Sequence, residues 1–203
     1  MLRGRGLTCS DLGVLGLGRA DALRTACVLA ETATTTGART CVAAVAVPLT
    51  RSDALRALDE CAAVLTDAGV RLALEFTSYG VLTPLADAVR LCEEVGWERC
   101  GLLVDSWHFV RTGTDWRALG ALAGEQVALV HLSDGKTEGG DDPVRDGRYG
   151  RLPPGAGSFP LQTFAAALDS CGYSGFLSLE VLSDTIRLLP PDEGARLLLN
   201  ELN

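Results

Sequence analysis

The sequence predicts an α/β fold, a parallel sheet whose strands are joined by crossover helices. Three observations predict it. Apolar runs of strand length alternate with segments carrying Ala and Leu at helical spacing over the whole chain. No linker or composition shift interrupts that rhythm, so one domain over 1–203 is the simplest organisation. Four successive apolar runs also end in a carboxylate or an imidazole, at the strand ends where parallel α/β sheets gather ligands.

Taken in order, Leu7 to Leu17 is a Gly-punctuated apolar segment, read as a strand with its loop. Arg19 to Thr35 places Ala22, Leu23, Ala26, Leu29 and Ala30 at helical spacing, and Gly37 stops the helix. Thr40 to Val47 is β-branched and small, a strand; Ser52 caps a helix running to about Asp67, with Gly69 as its stop. Val70 to Phe76 is the next strand, followed by a helix from about Pro84 to Val95 and a strand from Cys100 to Val104. A helix from Trp116 to Ala123 and a strand from Val127 to Leu132 continue the alternation. Ser133 to Ser158 reads as a polar, Gly-rich loop, too long for a plain connection and therefore expected to be functional. A helix from Leu161 to Ser170, a strand from Phe176 to Val181 and a terminal helix from about Asp192 complete the chain. That makes six strands. A closed (β/α)₈ barrel needs eight and about 250 residues, so the chain is some two β/α units short of one.

Composition narrows the function. At 203 residues and 47% hydrophobic, the chain can bury most of its apolar surface without staples. A net charge of -8 argues against a nucleic-acid partner, because phosphate contacts need clustered Lys and Arg. The 7 cysteines are scattered singly with no Cys-x-x-Cys pair, which suits buried small hydrophobes in a reducing compartment. The amino terminus carries no apolar run of signal-peptide length, and no window approaches the roughly 20 apolar residues of a membrane span. The expectation is a cytoplasmic protein with no membrane partner.

The chemistry lies at the strand ends. Glu75 in Leu-Ala-Leu-Glu-Phe, Asp105 after Leu-Leu-Val, His131 in Ala-Leu-Val-His-Leu and Glu180 in Leu-Ser-Leu-Glu-Val each follow an apolar run. Burying one such group unpaired costs several kcal/mol, and four on neighbouring strands need something that satisfies them together. One divalent cation does so. Three carboxylates with one imidazole favour Mn²⁺, Mg²⁺ or Co²⁺, with Zn²⁺ admissible, and the set lacks the thiolates of a structural zinc site. The protein has only 2 histidines, His108 and His131, and both fall in strand-end segments. His108, three residues after Asp105, is within reach of a substrate hydroxyl or carbonyl; the alternative, an Asp that caps the next turn and a His half-buried beside Trp107, stays open. Arg151 opens a Pro and Gly turn where a cation could meet a polarised oxygen, or else stand in solvent. Arg145 and Arg148 are weaker candidates. Asp134 and Lys136 follow His131 as outer-sphere or substrate groups, or as surface residues. Trp107 and Phe109 suit pocket wall or core.

Five ordered motifs then carry a resemblance: a strand ending in Glu75, Val-Asp-Ser-Trp-His-Phe-Val-Arg-Thr-Gly, Val-His-Leu-Ser-Asp, Arg-Leu-Pro-Pro-Gly-Ala-Gly, and Gly-Tyr-Ser-Gly-Phe-Leu-Ser-Leu-Glu-Val. Together, over Val70 to Asp184, they resemble the xylose isomerase-like TIM-barrel superfamily of sugar phosphate isomerases and epimerases. The resemblance implies a (β/α) TIM-barrel type fold, incomplete at about six units, with the first two missing because the strand ending in Glu75 would ordinarily be the fifth. It implies that Glu75, Asp105, His131 and Glu180 bind one divalent metal and that His108 and Arg151 contact substrate. Ala156 stands where the family commonly has an acidic residue.

The expected function is a metal-dependent isomerase or epimerase acting on a small keto sugar or polyol-derived substrate. Glu75 and Glu180 would exchange the proton as base and acid through an enediolate. A lyase dehydrating an inosose or dehydroshikimate-type acid shares the proton abstraction, and a non-catalytic truncated remnant is the rival from another class. An abasic-site endonuclease would need more histidines and a basic face. The expected partner is a small carbohydrate, with room for a homo-oligomer.

Overall fold

A computed structural model describes residues 3–200, and in it the apolar runs become six strands. β1 (Leu12–Leu17), β2 (Thr40–Val45), β3 (Arg71–Glu75), β4 (Cys100–Asp105), β5 (Val127–Leu132) and β6 (Leu177–Leu179) follow one another across the sheet in chain order. Helices α1 (Ala22–Thr36), α2 (Arg51–Asp67) and α3 (Leu85–Val95) form the first three crossovers. Helices α4 (Ser106–Arg111) and α5 (Trp116–Gly120) separate β4 from β5, and α6 (Pro143–Tyr149) and α7 (Leu161–Cys171) separate β5 from β6. After β6 come α8 (Asp184–Arg187) and α9 (Pro191–Asn200). Parallel strands in sequence order with helical crossovers are the TIM-barrel type of α/β fold, here with six strands. Among the described residues no helix is long and apolar enough to cross a membrane.

The described residues divide into two compact units, one running up to Leu103 and including Glu125–Leu129, the other comprising Val104–Gly124 and Val130 onwards. In the first unit β1, β2, β3 and the start of β4 pair in parallel, with Ala44 opposite Glu75 and Glu75 opposite Leu103. Both faces of β2, β3 and the start of β4 are covered. Val42, Ala73, Leu103 and Leu129 cluster on one face, while Cys41, Leu72, Leu74 and Leu102, on the other, are also fully buried. That double burial is why the strands read as continuous apolar runs instead of alternating. The helices answer with stripes three and four residues apart: Ala26, Ala30 and Ala33 on α1, and Leu58, Cys61, Ala62 and Leu65 on α2. Gly37 ends α1 in the left-handed conformation (φ 81°), its N–H bonded to the Ala33 carbonyl at 2.7 Å. The cap of α2 is Thr50, not Ser52: the Thr50 hydroxyl accepts from the Asp53 N–H at 3.2 Å, and Ser52 is already inside the helix.

Cysteine placement gives a first test. All seven are free, Cys27 is exposed, and burial pushes the Cys41 thiol up to about 12 and the Cys61 thiol up to about 11. Because the thiolate is the nucleophile, iodoacetamide at neutral pH is expected to alkylate Cys27 and to spare Cys41 and Cys61 until the protein unfolds. Peptide mass mapping reads this, and equal labelling of Cys27 and Cys41 in the folded protein would contradict the packing.

The second unit departs further from the sequence reading. The chain enters α4 directly after Asp105, and the expected helix from Trp116 to Ala123 is only Trp116–Gly120. The supposed loop from Ser133 to Ser158 contains α6, started by Asp142, whose Oδ1 accepts the Val144 and Arg145 N–H groups at 3.0 Å each, with Pro143 in the first turn. The last strand is confined to Leu177–Leu179, which pairs with Val130–Leu132. Glu180 still donates its N–H to the Leu132 carbonyl at 3.1 Å before the chain leaves to pair with Arg151. The core of this unit is aromatic: Phe109 stacks on Trp116 at 4.9 Å, and both meet Phe164 of α7. Phe109 is therefore core.

Candidate metal centre

Asp105 is the pivot of the site. It is fully buried at the junction of β4 and α4, and its two oxygens have different tasks. Oδ1 accepts the Trp107 N–H at 2.8 Å, the N-cap bond that turns the chain into α4. Oδ2 accepts from Arg151 Nη1 at 2.8 Å and lies 3.8 Å from His108 Nε2. The capping role and the site role, open as alternatives in the sequence, thus coexist in one side chain. Ser106 secures the junction: its hydroxyl donates to the Ser133 carbonyl at 2.7 Å and accepts the Ser133 N–H at 2.9 Å, tying the start of α4 to the end of β5, where His131 stands.

His131 is buried, and its Nδ1 is 3.4 Å from Glu180 Oε2. Glu180 is the accessible member, its side chain 34% exposed. Burial pushes its carboxyl up, but the His131 hydrogen bond and the Arg151 guanidinium outweigh this and hold it below its ordinary range. Arg151 is no loop arginine in solvent. It is 1% exposed, and Nη1 bridges Asp105 Oδ2 and Glu180 Oε2 at 2.8 and 2.9 Å. Its Nε donates to the Gly147 carbonyl at 2.8 Å, and the guanidinium lies 5.5 Å from the Trp107 ring centre. His108 is buried on α4; burial, with the Arg151 cation, pushes its imidazolium down to about 4 against the pull of Asp105, so the ring is neutral near pH 7.

Within this unit Asp105, His131 and Glu180 each offer one ligand atom, and those atoms lie within 4.8 Å of one another. Oxygen and imidazole donors at about 2.0–2.2 Å from one ion stand roughly 3 to 4.4 Å apart, so the set fits a single hard or borderline divalent cation. Glu75, the remaining candidate, closes β3 in the first unit, half-buried and in register with Leu103.

The other candidates separate clearly. Lys136 and Arg148 are exposed, and Arg145 lies 5.5 Å from the Tyr149 ring centre. Asp134 is buried and accepts four backbone N–H groups, those of Gly135 (2.7 Å), Gly155 (3.0 Å), Gly157 (3.0 Å) and Phe159 (2.9 Å). It organises the turn after Arg151 instead of touching the ligands. Gly157 is required there, because a Cβ would stand 2.3 Å from Asp134 Oδ1. Sequence reasoning missed Arg111 as a loop anchor: it pairs with Asp146 Oδ2 at 3.1 Å, bonds the Thr137 carbonyl at 3.1 Å, and its guanidinium is 4.6 Å from the Trp107 ring centre. Its signal was an arginine ending a short segment that holds no other Lys or Arg.

Set against known proteins, residues 15–202 match the family model described as xylose isomerase-like TIM barrel. A 3-dehydroshikimate dehydratase of Pseudomonas aeruginosa is 33% identical over 144 residues, covering 70% of this chain and 22% of that protein. An inosose isomerase of Bacillus subtilis is 29% identical over 132 residues, covering 62% of this chain and 45% of that protein. A solved xylose isomerase domain protein of Alicyclobacillus acidocaldarius is 30% identical, with a TM-score of 0.76 over 98% of this chain and 77% of its own. The chain spans less than half the length of these two curated relatives.

Proposed function

The chain belongs to the xylose isomerase-like TIM-barrel family, and from that premise we propose that it is a divalent-metal-dependent isomerase or epimerase of a small keto sugar or polyol-derived substrate. The observation that carries the reading is the convergence of Asp105, His131 and Glu180 on one volume. Glu75 is proposed as the fourth ligand. Support comes from its pairing with Leu103, since Asp105 lies two residues further along the same strand and so on the same side of the pleat. The family match running from 15 to 202 supports treating the whole chain as one domain.

When bound, the ion supplies Lewis acidity toward the substrate's carbonyl and neighbouring hydroxyl, acidifying the carbon-bound proton between them. Glu180, held as a carboxylate by His131 and Arg151, takes that proton, leaving an enediolate, and Glu75 returns one to complete the exchange. His108, neutral at working pH, and Arg151 contact the substrate's oxygens. Replacing Glu180 with Gln keeps the shape but removes the base, so kcat is expected to fall by about 10²–10⁴ on ketose and inosose substrates. Turnover unchanged with metal still bound would sink the assignment.

A second reading has a specific observation behind it, the dehydratase of Pseudomonas aeruginosa being 33% identical. There the same proton abstraction would be followed by loss of a β-hydroxyl. Product mass separates the two, because dehydration loses one water and isomerisation loses nothing.

A further inference from the structure

We infer that Arg151, beyond its proposed substrate contact, tunes the metal site through Nη1, holding the Asp105 and Glu180 carboxylates together in the metal-free protein and weakening ion binding by competing for the same oxygens. This rests on the proposed metal site and concerns how strongly, not whether, it binds. The ground is geometric. Nη1 meets Asp105 Oδ2 at 2.8 Å and Glu180 Oε2 at 2.9 Å, and Glu180 Oε2 is also the oxygen that faces His131 Nδ1 at 3.4 Å. A guanidinium nitrogen therefore occupies the convergence point of two candidate ligand oxygens.

The cation is built in and cannot swing away to solvent. Arg151 is 1% exposed, its Nε is held by the Gly147 carbonyl at 2.8 Å, and its backbone N–H is bonded to the Leu182 carbonyl at 3.2 Å. Two carboxylates left without it would repel each other in a buried setting, so the metal-free protein gains from the pairing. An entering divalent ion meets a different balance. The fixed positive charge cancels one of the two carboxylate charges and repels the ion, and Nη1 already uses lone pairs that the ion would take. The same contact thus stabilises the metal-free state and opposes loading.

The two effects have opposite signs, which separates tuning from a merely structural role. Purified wild type, Arg151→Met and Arg151→Lys are stripped with chelator, their thermal midpoints measured, and Mn²⁺ titrated by calorimetry. Arg151→Met is expected to lower the metal-free midpoint yet tighten Mn²⁺ binding at least tenfold. Arg151→Lys, which keeps a charge but not the fork, is expected to fall between it and wild type in both. Mn²⁺ binding that is unchanged or weaker in Arg151→Met while wild type binds normally overturns the inference and leaves the metal site standing. If neither wild type nor Arg151→Met binds Mn²⁺, the metal-site reading fails and the inference falls with it. Binding by Arg151→Met alone supports it.

Discussion

Replacing Asp105 with Ala is expected to abolish Mn²⁺ binding, and Asp105→Asn to weaken it by more than about 100-fold, beyond the loss typical of an outer-sphere partner. The two variants divide the roles of one side chain. Asn can still accept the Trp107 N–H that Oδ1 now takes at 2.8 Å, so the turn into α4 survives, but it carries no charge to hold an ion or to face Arg151. Ala loses both. Both variants also take the Asp105 carboxylate away from the buried Arg151 guanidinium, leaving it Glu180, and breaking a buried ion pair costs about 3–5 kcal/mol. Asp105→Asn, which keeps the cap, is thus expected to lower the thermal midpoint less than Asp105→Ala, while both lose metal binding. Calorimetry with Mn²⁺ alongside thermal unfolding reads the pair. Wild-type-like Mn²⁺ affinity in Asp105→Asn would remove Asp105 from the ligand set.

Asp134→Ala is expected to be the most destabilising single change in the loops around the site. Four backbone N–H groups lose their acceptor at once, in a residue 2% exposed. Each buried donor left unsatisfied costs about 1–3 kcal/mol, and partial hydration of the loop recovers some of it, so a net loss of about 3 kcal/mol or more is expected. For a chain of this size that lowers the thermal midpoint by roughly 6–12 °C. Asp134→Asn is no rescue, because one end of its amide would point a donor at donors. The reciprocal Asp134 and Leu152 backbone bonds at 2.8 and 2.9 Å remain in either variant, so the damage should concentrate in 155–159. Hydrogen exchange at Gly155, Gly157 and Phe159 checks the location, and a midpoint shift under about 2 °C would rule out the anchoring role.

Legibility followed the range of the interactions. The alternation of β2, α2, β3, α3 and β4 could be read because strand and helix periods are local and both faces of these strands are buried, which leaves unbroken apolar runs. Helix α4 was missed because at six residues it is too short to show a helical period, although Asp105 offered a cap, and α6 because its Asp142 and Pro143 signal sits among glycines and charges. Glu180 was legible by residue type after Leu-Ser-Leu, although the strand carrying it is three residues long.

By itself, then, the sequence determined the order of the six strands and of the longer helices between them, and the appearance of Asp105, His131 and Glu180 at successive strand ends, since each depends on neighbours a few residues away. Only the tertiary structure decided what Arg151 and Asp134 do. Arg151 meets Asp105 across 46 residues of chain, and Asp134 meets the Phe159 amide across 25. Nothing in residue type or spacing separates a guanidinium locked between two carboxylates from one in solvent, or a carboxylate filled by amides from one awaiting a ligand. Burial and the direction of each hydrogen bond decide that, and both arise only when distant segments pack.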